Sequence, residues 1–315
     1  MNSFELPILP LVVLVGPTAS GKSVLALALA REFGAEIVTC DSTQLYRGVN
    51  IGTAKPPVEE RAGIAHHLID VLEPAEVATA GGYRDLALEV LAQLRERGRL
   101  PVLVAGTGLY MRALLEGLAD LPLRSEELRA RLRGSVRKRG PTHLHRVLRR
   151  MDAEAARKIA PSDEQKLIRA IEVCVLARKP ISEVHRAGRH PLQGWRVIKI
   201  GLMPERELLY RRIELRTDAM MSSGWVAEVE DLLVSGITED AKLFDFIGYR
   251  EMLAVLRERM NREEARAAIQ QATRNYAKRQ MTWFRKDAGI KWFAGPGDDA
   301  KIQTEIVQYL REELR

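Results

Sequence analysis

Apolar residues along the chain follow two rhythms. Short, nearly unbroken apolar runs occupy residues 11–15, 36–40, 66–72 and 100–105, and residues 195–202 alternate. Runs of this length, bounded by polar or glycine-rich turns, predict strands. Elsewhere apolar positions recur every three or four residues, as at Leu25, Ala28 and Leu29, or at Leu86, Val90 and Leu94. That spacing predicts a helix after the first strand and others over residues 82–97, 109–118, 205–222, 227–233, 249–259 and 262–286. A short strand at 290–293 and a terminal helix close the chain. Strand, loop and helix in alternation argue for a parallel sheet covered on both faces, with ligands gathering at the carboxyl ends of strands.

One segment breaks the alternation. Residues 124–190 carry helical spacing only, dense in Leu, Ala and Arg, with Gly134, Gly140, Pro141 and Pro161 as punctuation. The expected organisation is a core in two parts, residues 1–122 and 193–315, interrupted by an all-helical insertion at 123–192.

The first strand runs into Gly16, Pro17, Thr18, Ala19, Ser20, Gly21, Lys22 and Ser23. These fit the phosphate-loop pattern G-x-x-x-x-G-K-[ST] at every required position. The glycines let backbone N–H groups turn inward on a phosphate chain, and Lys22 adds a point charge. Ser23 Oγ suits Mg²⁺, and the next helix aims the positive end of its dipole at the same place. The fold class is therefore α/β: a P-loop parallel-sheet core with helices on both faces and an all-helical insertion.

Two further strand ends carry chemistry. Asp41 follows the run at 36–40 and reads as a general base, a Mg²⁺ ligand, or the cap of a following helix. Thr107, between Gly106 and Gly108, is either a hydroxyl brought close to a ligand or a turn residue. The run at 100–105 ends in Ala105 and Gly106, without the carboxylate that P-loop ATPases use to hold their metal. Asp70 lies inside its run, and His66 and His67 have no partner at metal spacing. A motor or GTPase is thereby disfavoured. A small-molecule kinase, or an enzyme whose loop holds a diphosphate leaving group, remains.

Composition narrows the setting. With 46% apolar residues in 315, the chain can bury a sizeable core. Cys40 and Cys174, far apart in apolar surroundings, read as reduced core residues of a cytoplasmic protein. No stretch approaches membrane-span length, and the apolar run at 8–15 is a strand rather than a leader. The net charge of +7 is uneven: residues 124–190 hold eighteen Lys and Arg against eight Asp and Glu. That excess marks either a nucleic-acid-facing module or a set of solvated Arg-rich helices. Its candidates for RNA contact are Arg129 and the run Gln165, Lys166, Leu167, Ile168 and Arg169, where Gln165 and Arg169 share a helix face.

Taken together, these motifs resemble the tRNA dimethylallyltransferases, or isopentenyltransferases. Besides the phosphate loop, the likeness rests on residues 41–48, 51–56, 66–70, 106–110, 165–170, 247–250 and 276–280. The resemblance implies transfer of a dimethylallyl group from its diphosphate to N6 of the adenine 3′-adjacent to the anticodon. It implies that the phosphate loop holds the diphosphate with Mg²⁺, braced by Arg216. Asp41 would take the proton, with Thr107 and Lys22 completing the catalytic set. The tRNA anticodon stem-loop is implied to meet Asp41, Ser42, Thr43, Gln44, Thr107, Arg129, residues 165–169, and Gly248, Tyr249 and Arg250. No membrane partner is expected, and the chain is expected to act as a monomer. Ala105 and residues 78–83 depart from the family's pattern.

Overall fold

A computed structural model describes residues 8–186 and 188–315. Its core is one sheet of six parallel strands: β1 (Leu9–Val15), β2 (Glu36–Cys40), β3 (His66–His67), β4 (Pro101–Ala105), β5 (Trp195–Leu202) and β6 (Ile290–Phe293). They lie side by side in the order β3-β2-β4-β1-β5-β6. Parallel neighbours need crossovers. Helices α1 (Lys22–Phe33), α2 (Ala80–Glu96) and α3 (Gly108–Glu116) occupy the first half of the chain. The middle holds α4 (Glu126–Arg139), α5 (Pro141–Met151), α6 (Ala153–Lys158), α7 (Glu164–Ala177) and α8 (Ile181–Arg186). After β5 come α9 (Arg206–Ser222), α10 (Trp225–Val234), α11 (Tyr249–Leu256), α12 (Arg262–Phe284) and α13 (Ala300–Glu313).

β1 is central because both its faces are apolar. Val12 and Leu14 join Ile37, Val102 and Ile200 beneath Leu25 and Leu29 of α1 and Ile306 and Leu310 of α13. Leu11, Val13 and Val15 point the other way and are just as fully buried. A strand covered on both faces reads as an unbroken apolar run, which is the pattern this segment shows.

The run at 66–72 is a strand only at its first two residues. Leu68 and Asp70 adopt left-handed backbone (φ 60° and 57°), which ends any ladder. The remainder is a buried loop fastened by Lys55, whose ammonium donates to Tyr46 O, Asn50 Oδ1 and Asp70 Oδ1. Burial of Leu68 and Ile69 makes this loop look like a strand in sequence. Gly134 likewise fails to punctuate: α4 runs through it.

Contacts divide the chain into two units, one ending at Leu114 and resuming at Gln193, the other spanning Leu115–Leu192. The second unit has its own core, built on Leu144, Leu148, Leu167, Ile168, Ile171 and Val173. Its two chain ends meet where Leu192 N donates to Leu115 O, and Gly117 packs so closely on His190 that a Cβ would lie 2.3 Å from its carbonyl oxygen. Leu167 and Ile168 were expected at an RNA surface. Their side chains are instead core residues of α7, buried by its apolar face.

The same helix buries a carboxylate. Glu172 accepts two hydrogen bonds from Arg129 (2.9 and 3.1 Å), one from Arg169 (2.7 Å) and one from Ser125 N (2.9 Å). Burial alone pushes this carboxyl up, but the two guanidiniums outweigh it and hold it down at about 2. Truncating Glu172 to Ala leaves two cations facing apolar side chains. It should cost about 3–5 kcal/mol, read as a lower urea midpoint for the helical unit. Because the folded carboxyl titrates below its ordinary 4.5, the stabilisation should be complete above that pH and vanish as pH falls through about 2.

Candidate active site

The order β2-β4-β1 sets three carboxyl ends side by side. The phosphate loop leaves β1, Asp41 leaves β2, and Thr107 follows β4. A cavity of about 470 Å³ opens there, lined among others by Ser20, Lys22, Asp41, Gln44, Arg216 and Gln280.

The loop turns through left-handed backbone at Ala19 (φ 64°) and Gly21 (φ 85°). Gly21 also needs its missing side chain: a Cβ would lie 2.7 Å from Gly297 N. Gly297 N in turn donates to Ser20 O (2.8 Å), so the segment after β6 supports the loop from outside. Lys22 folds back across it, donating to Gly16 O (2.8 Å) and Pro17 O (2.9 Å). Burial pushes Lys22 down to about 7; Asp41 opposes that and Arg216 adds to it. Arg216 donates to Thr18 Oγ1 (2.7 Å), and burial lowers it to about 10. Arg212 donates to Ala19 O (2.8 Å) but is neutralised by Asp298 at 2.9 Å.

Asp41 is not a helix cap, since turns rather than a helix follow it. Its Oδ1 accepts from Thr43 N (2.9 Å) and Thr43 Oγ1 (2.7 Å), an Asx turn that fixes the carboxylate. Oδ2 lies over Gly106, where a Cβ would come within 2.5 Å. Thr107 Oγ1 accepts from Ser42 N (3.1 Å) and donates to Ser42 Oγ (3.3 Å), joining the ends of β4 and β2. Gln44 donates to Thr53 O and Ala54 O and so fixes the cavity's rim.

Two residues of α12 received no role from the sequence. Gln280, only 5% exposed, accepts from Thr18 N (2.7 Å) and donates to Gly106 O (2.7 Å). Tyr276 donates to the same carbonyl at 3.0 Å. The motif at 276–280 was visible, but nothing in it says that a distant helix crosses the sheet's carboxyl edge.

Other candidates sit elsewhere. Arg129 and Arg169 are engaged by Glu172, while Gln165 and Lys166 are exposed and Lys166 pairs with Asp163. Gly248 gives way to Trp225, and Tyr249 is buried with its hydroxyl on Glu228; only Arg250 is exposed, paired with Asp245. His67 bonds Glu36 and His66 bonds Ile64 O, both structural. Cys40 and Cys174 are buried thiols, Cys40 pushed up to about 12 by burial. No described helix is long and apolar enough to cross a membrane.

The residues suit Mg²⁺. Among the described residues no three His, Cys, Asp or Glu cluster as a metal cage. Mg²⁺ does not need one, since it typically takes one or two protein oxygens and completes its shell with phosphate and water. Ser23 and Asp41 line the cavity as such donors. The Ser20 hydroxyl, buried there without a hydrogen-bond partner, is free to donate to a bound anion.

A phosphate loop over a parallel sheet, two half-buried cations and one fixed carboxylate define a P-loop enzyme. Its cavity has the size and charge to suit linked phosphates beside a carboxylate. A sequence model described as IPP transferase matches residues 44–287, and one described as isopentenyl transferase matches residues 9–78. The tRNA dimethylallyltransferase of Koribacter versatilis is 53% identical over 301 residues, which is 96% of this chain and 98% of that one. That of Solibacter usitatus is 47% identical over 97% of this chain and 99% of its own. The full-length tRNA isopentenylpyrophosphate transferase of Bacillus halodurans superposes with a TM-score of 0.71 at 37% identity, covering 97% and 96% of the two chains. A eukaryotic dimethylallyltransferase acting on tRNA shares the fold (TM-score 0.82, 23% identity, covering 98% of this chain and 80% of that one). The chain belongs to the IPP transferase family.

With Lys22 held near 7, an anion that restores its charge must take up a proton above that pH. Affinity for inorganic diphosphate, corrected for the anion's own titration, should therefore fall as pH rises past about 7. Calorimetry in two buffers of different ionisation enthalpy should record net proton uptake at pH 8, and Lys22→Met should abolish it.

Proposed function

We propose that this protein transfers a dimethylallyl group from dimethylallyl diphosphate to tRNA, at N6 of the adenine 3′-adjacent to the anticodon. One observation carries the reading of the chemistry. Asp41, Lys22 and Arg216 line a single cavity, while β4 ends in Ala105 and Gly106 without an acid. Such a site neutralises a departing diphosphate and accepts a proton. It lacks the second carboxylate usual in phosphoryl-transferring P-loops.

The loop N–H groups, Lys22 and Arg216 bind the diphosphate and stabilise the charge that grows on it as its bond to the allylic carbon breaks. Ser23, with Asp41 nearby, would hold Mg²⁺, which would supply further neutralisation of the leaving group. The adenine amine forms the new C–N bond and gives its proton to Asp41 Oδ2. The Asx turn keeps Oδ1 occupied and leaves Oδ2 to face the reacting nitrogen. Thr107 and Ser42 orient the base. Gly106 lets the carboxylate come close.

A target adenine inside a stem-loop must leave its stack, at a cost of a few kcal/mol. The helical unit supplies binding energy through phosphates. Arg131, Arg137, Lys138, Arg139, Arg146 and Arg149 are exposed and form no ion pair among the described residues. Gln165, Lys166 and Arg250 add polar contacts, and Arg129 and Arg169 shape the surface through Glu172. A tRNA substrate and two reduced, buried cysteines support a cytoplasmic setting.

The test offers bulk tRNA with labelled dimethylallyl diphosphate and, separately, labelled ATP. The isoprenoid label should move to RNA; label moving only from ATP would instead support a kinase. Asp41→Asn should lower single-turnover transfer by roughly 10²–10⁴ while tRNA affinity stays within a few-fold.

A further inference from the structure

The helix that closes the site continues beyond it. Tyr276 and Gln280 of α12 bond Gly106 O, and three residues later Trp283 packs on Gly108. A Cβ on Gly108 would lie 2.3 Å from both Cδ1 and Nε1 of the indole. Despite that tight seat, Trp283 remains 37% exposed. The Arg112 guanidinium lies 4.8 Å over its ring, and Arg279 lies 5.8 Å from the Tyr276 ring. Neither arginine forms an ion pair among the described residues. Leu109, 45% exposed, extends the apolar patch. Immediately beyond Thr107 there is therefore a half-open indole, seated on glycine, with two arginines not matched to any carboxylate.

The geometry points to Trp283, with Arg112, as a stacking shelf for an unpaired RNA base flanking the target adenine. This rests on the reading of the substrate as tRNA. Unpaired bases in RNA loops are commonly held on aromatic rings and guanidinium planes, and a shelf of this kind is sequence-tolerant because every base has a π-face. Withdrawing one base breaks its stacks with both neighbours, so a surface next to the Gly106–Gly108 turn that restacks a neighbour recovers part of that loss. Arg112 contributes a cation over the ring and a positive charge for the adjoining phosphate. A plain packing role for Trp283 would not require that more than a third of the residue be left in solvent beside unmatched cations. Trp283 is a positioning residue on this account, not a catalytic one.

Steady-state transfer to an anticodon stem-loop RNA tests the shelf, using Trp283→Ala, Trp283→Phe and Arg112→Gln. Trp283→Ala should raise the KM for RNA about tenfold to a hundredfold, the size of one lost base stack, with the KM for dimethylallyl diphosphate unchanged. Trp283→Phe should recover most of the loss. Arg112→Gln should reduce the salt slope of RNA binding by about one, whereas Trp283→Ala should leave it alone. Wild-type fluorescence should be quenched by RNA in a component absent from Trp283→Phe. If Trp283→Ala does not fold, that component and the Arg112→Gln slope decide the matter. An unchanged KM for RNA in Trp283→Ala, or a raised KM for the diphosphate alone, overturns the shelf and makes Trp283 a prop for the Gly108 turn. No quenching together with an unchanged slope also overturns it. Wild-type protein inert on RNA would instead reject the substrate reading.

Discussion

A single side-chain amide spans the two loops on which the site depends. Gln280 receives the Thr18 N–H on one side and grips the Gly106 carbonyl on the other. The first contact fixes the phosphate loop and the second fixes the turn that faces Asp41. Because an amide carries its donor and acceptor at a set separation, the two loops cannot drift independently. The bond is made in a buried setting, where an unpaired amide would be costly to leave, so the geometry is strongly enforced. The spacing between the phosphate loop and the turn that faces Asp41 is thus set by α12, which belongs to neither strand.

The second constraint is electrostatic. Lys22 and Arg216 are both driven below their ordinary values by burial, which means the protein holds positive charge where solvent cannot repay it. Only Asp41 opposes this on Lys22, and its Oδ1 is already committed to Thr43. A polyanion restores the favourable state of both cations at once. In the proposed reaction the same preorganisation would serve the negative charge that develops as the diphosphate departs, without solvent having to reorganise.

The helical unit shows that charge density in sequence does not say which arginines also carry structure. Arg129 and Arg169 look like RNA contacts in sequence, yet Glu172 gathers both in a buried cluster that ties α4 to α7. Leu167 and Ile168, from the same motif, are core. Arginines such as Arg146 and Arg149, three apart on α5, are exposed and form no ion pair among the described residues. Exposed and buried residues are interleaved along one motif because a helix alternates between faces every few residues.

Local sequence determined the strand, turn and helix of the phosphate loop, since glycine, lysine and serine spacing acts within a few residues. It also determined the parallel sheet, because strands covered on both faces must be apolar throughout, and the helical character of the insertion. The bounds of β6, at Ile290–Phe293, match the sequence reading. It overextended the strand at 66–72, because burial and β-structure leave the same apolar mark and only the backbone angles of Leu68 and Asp70 separate them. The roles of Gln280, Tyr276 and Arg212 were set by tertiary structure alone. Each acts on a residue far away in the chain, on Thr18, Gly106 or Ala19, and no periodicity or motif encodes which distant backbone group a side chain will meet.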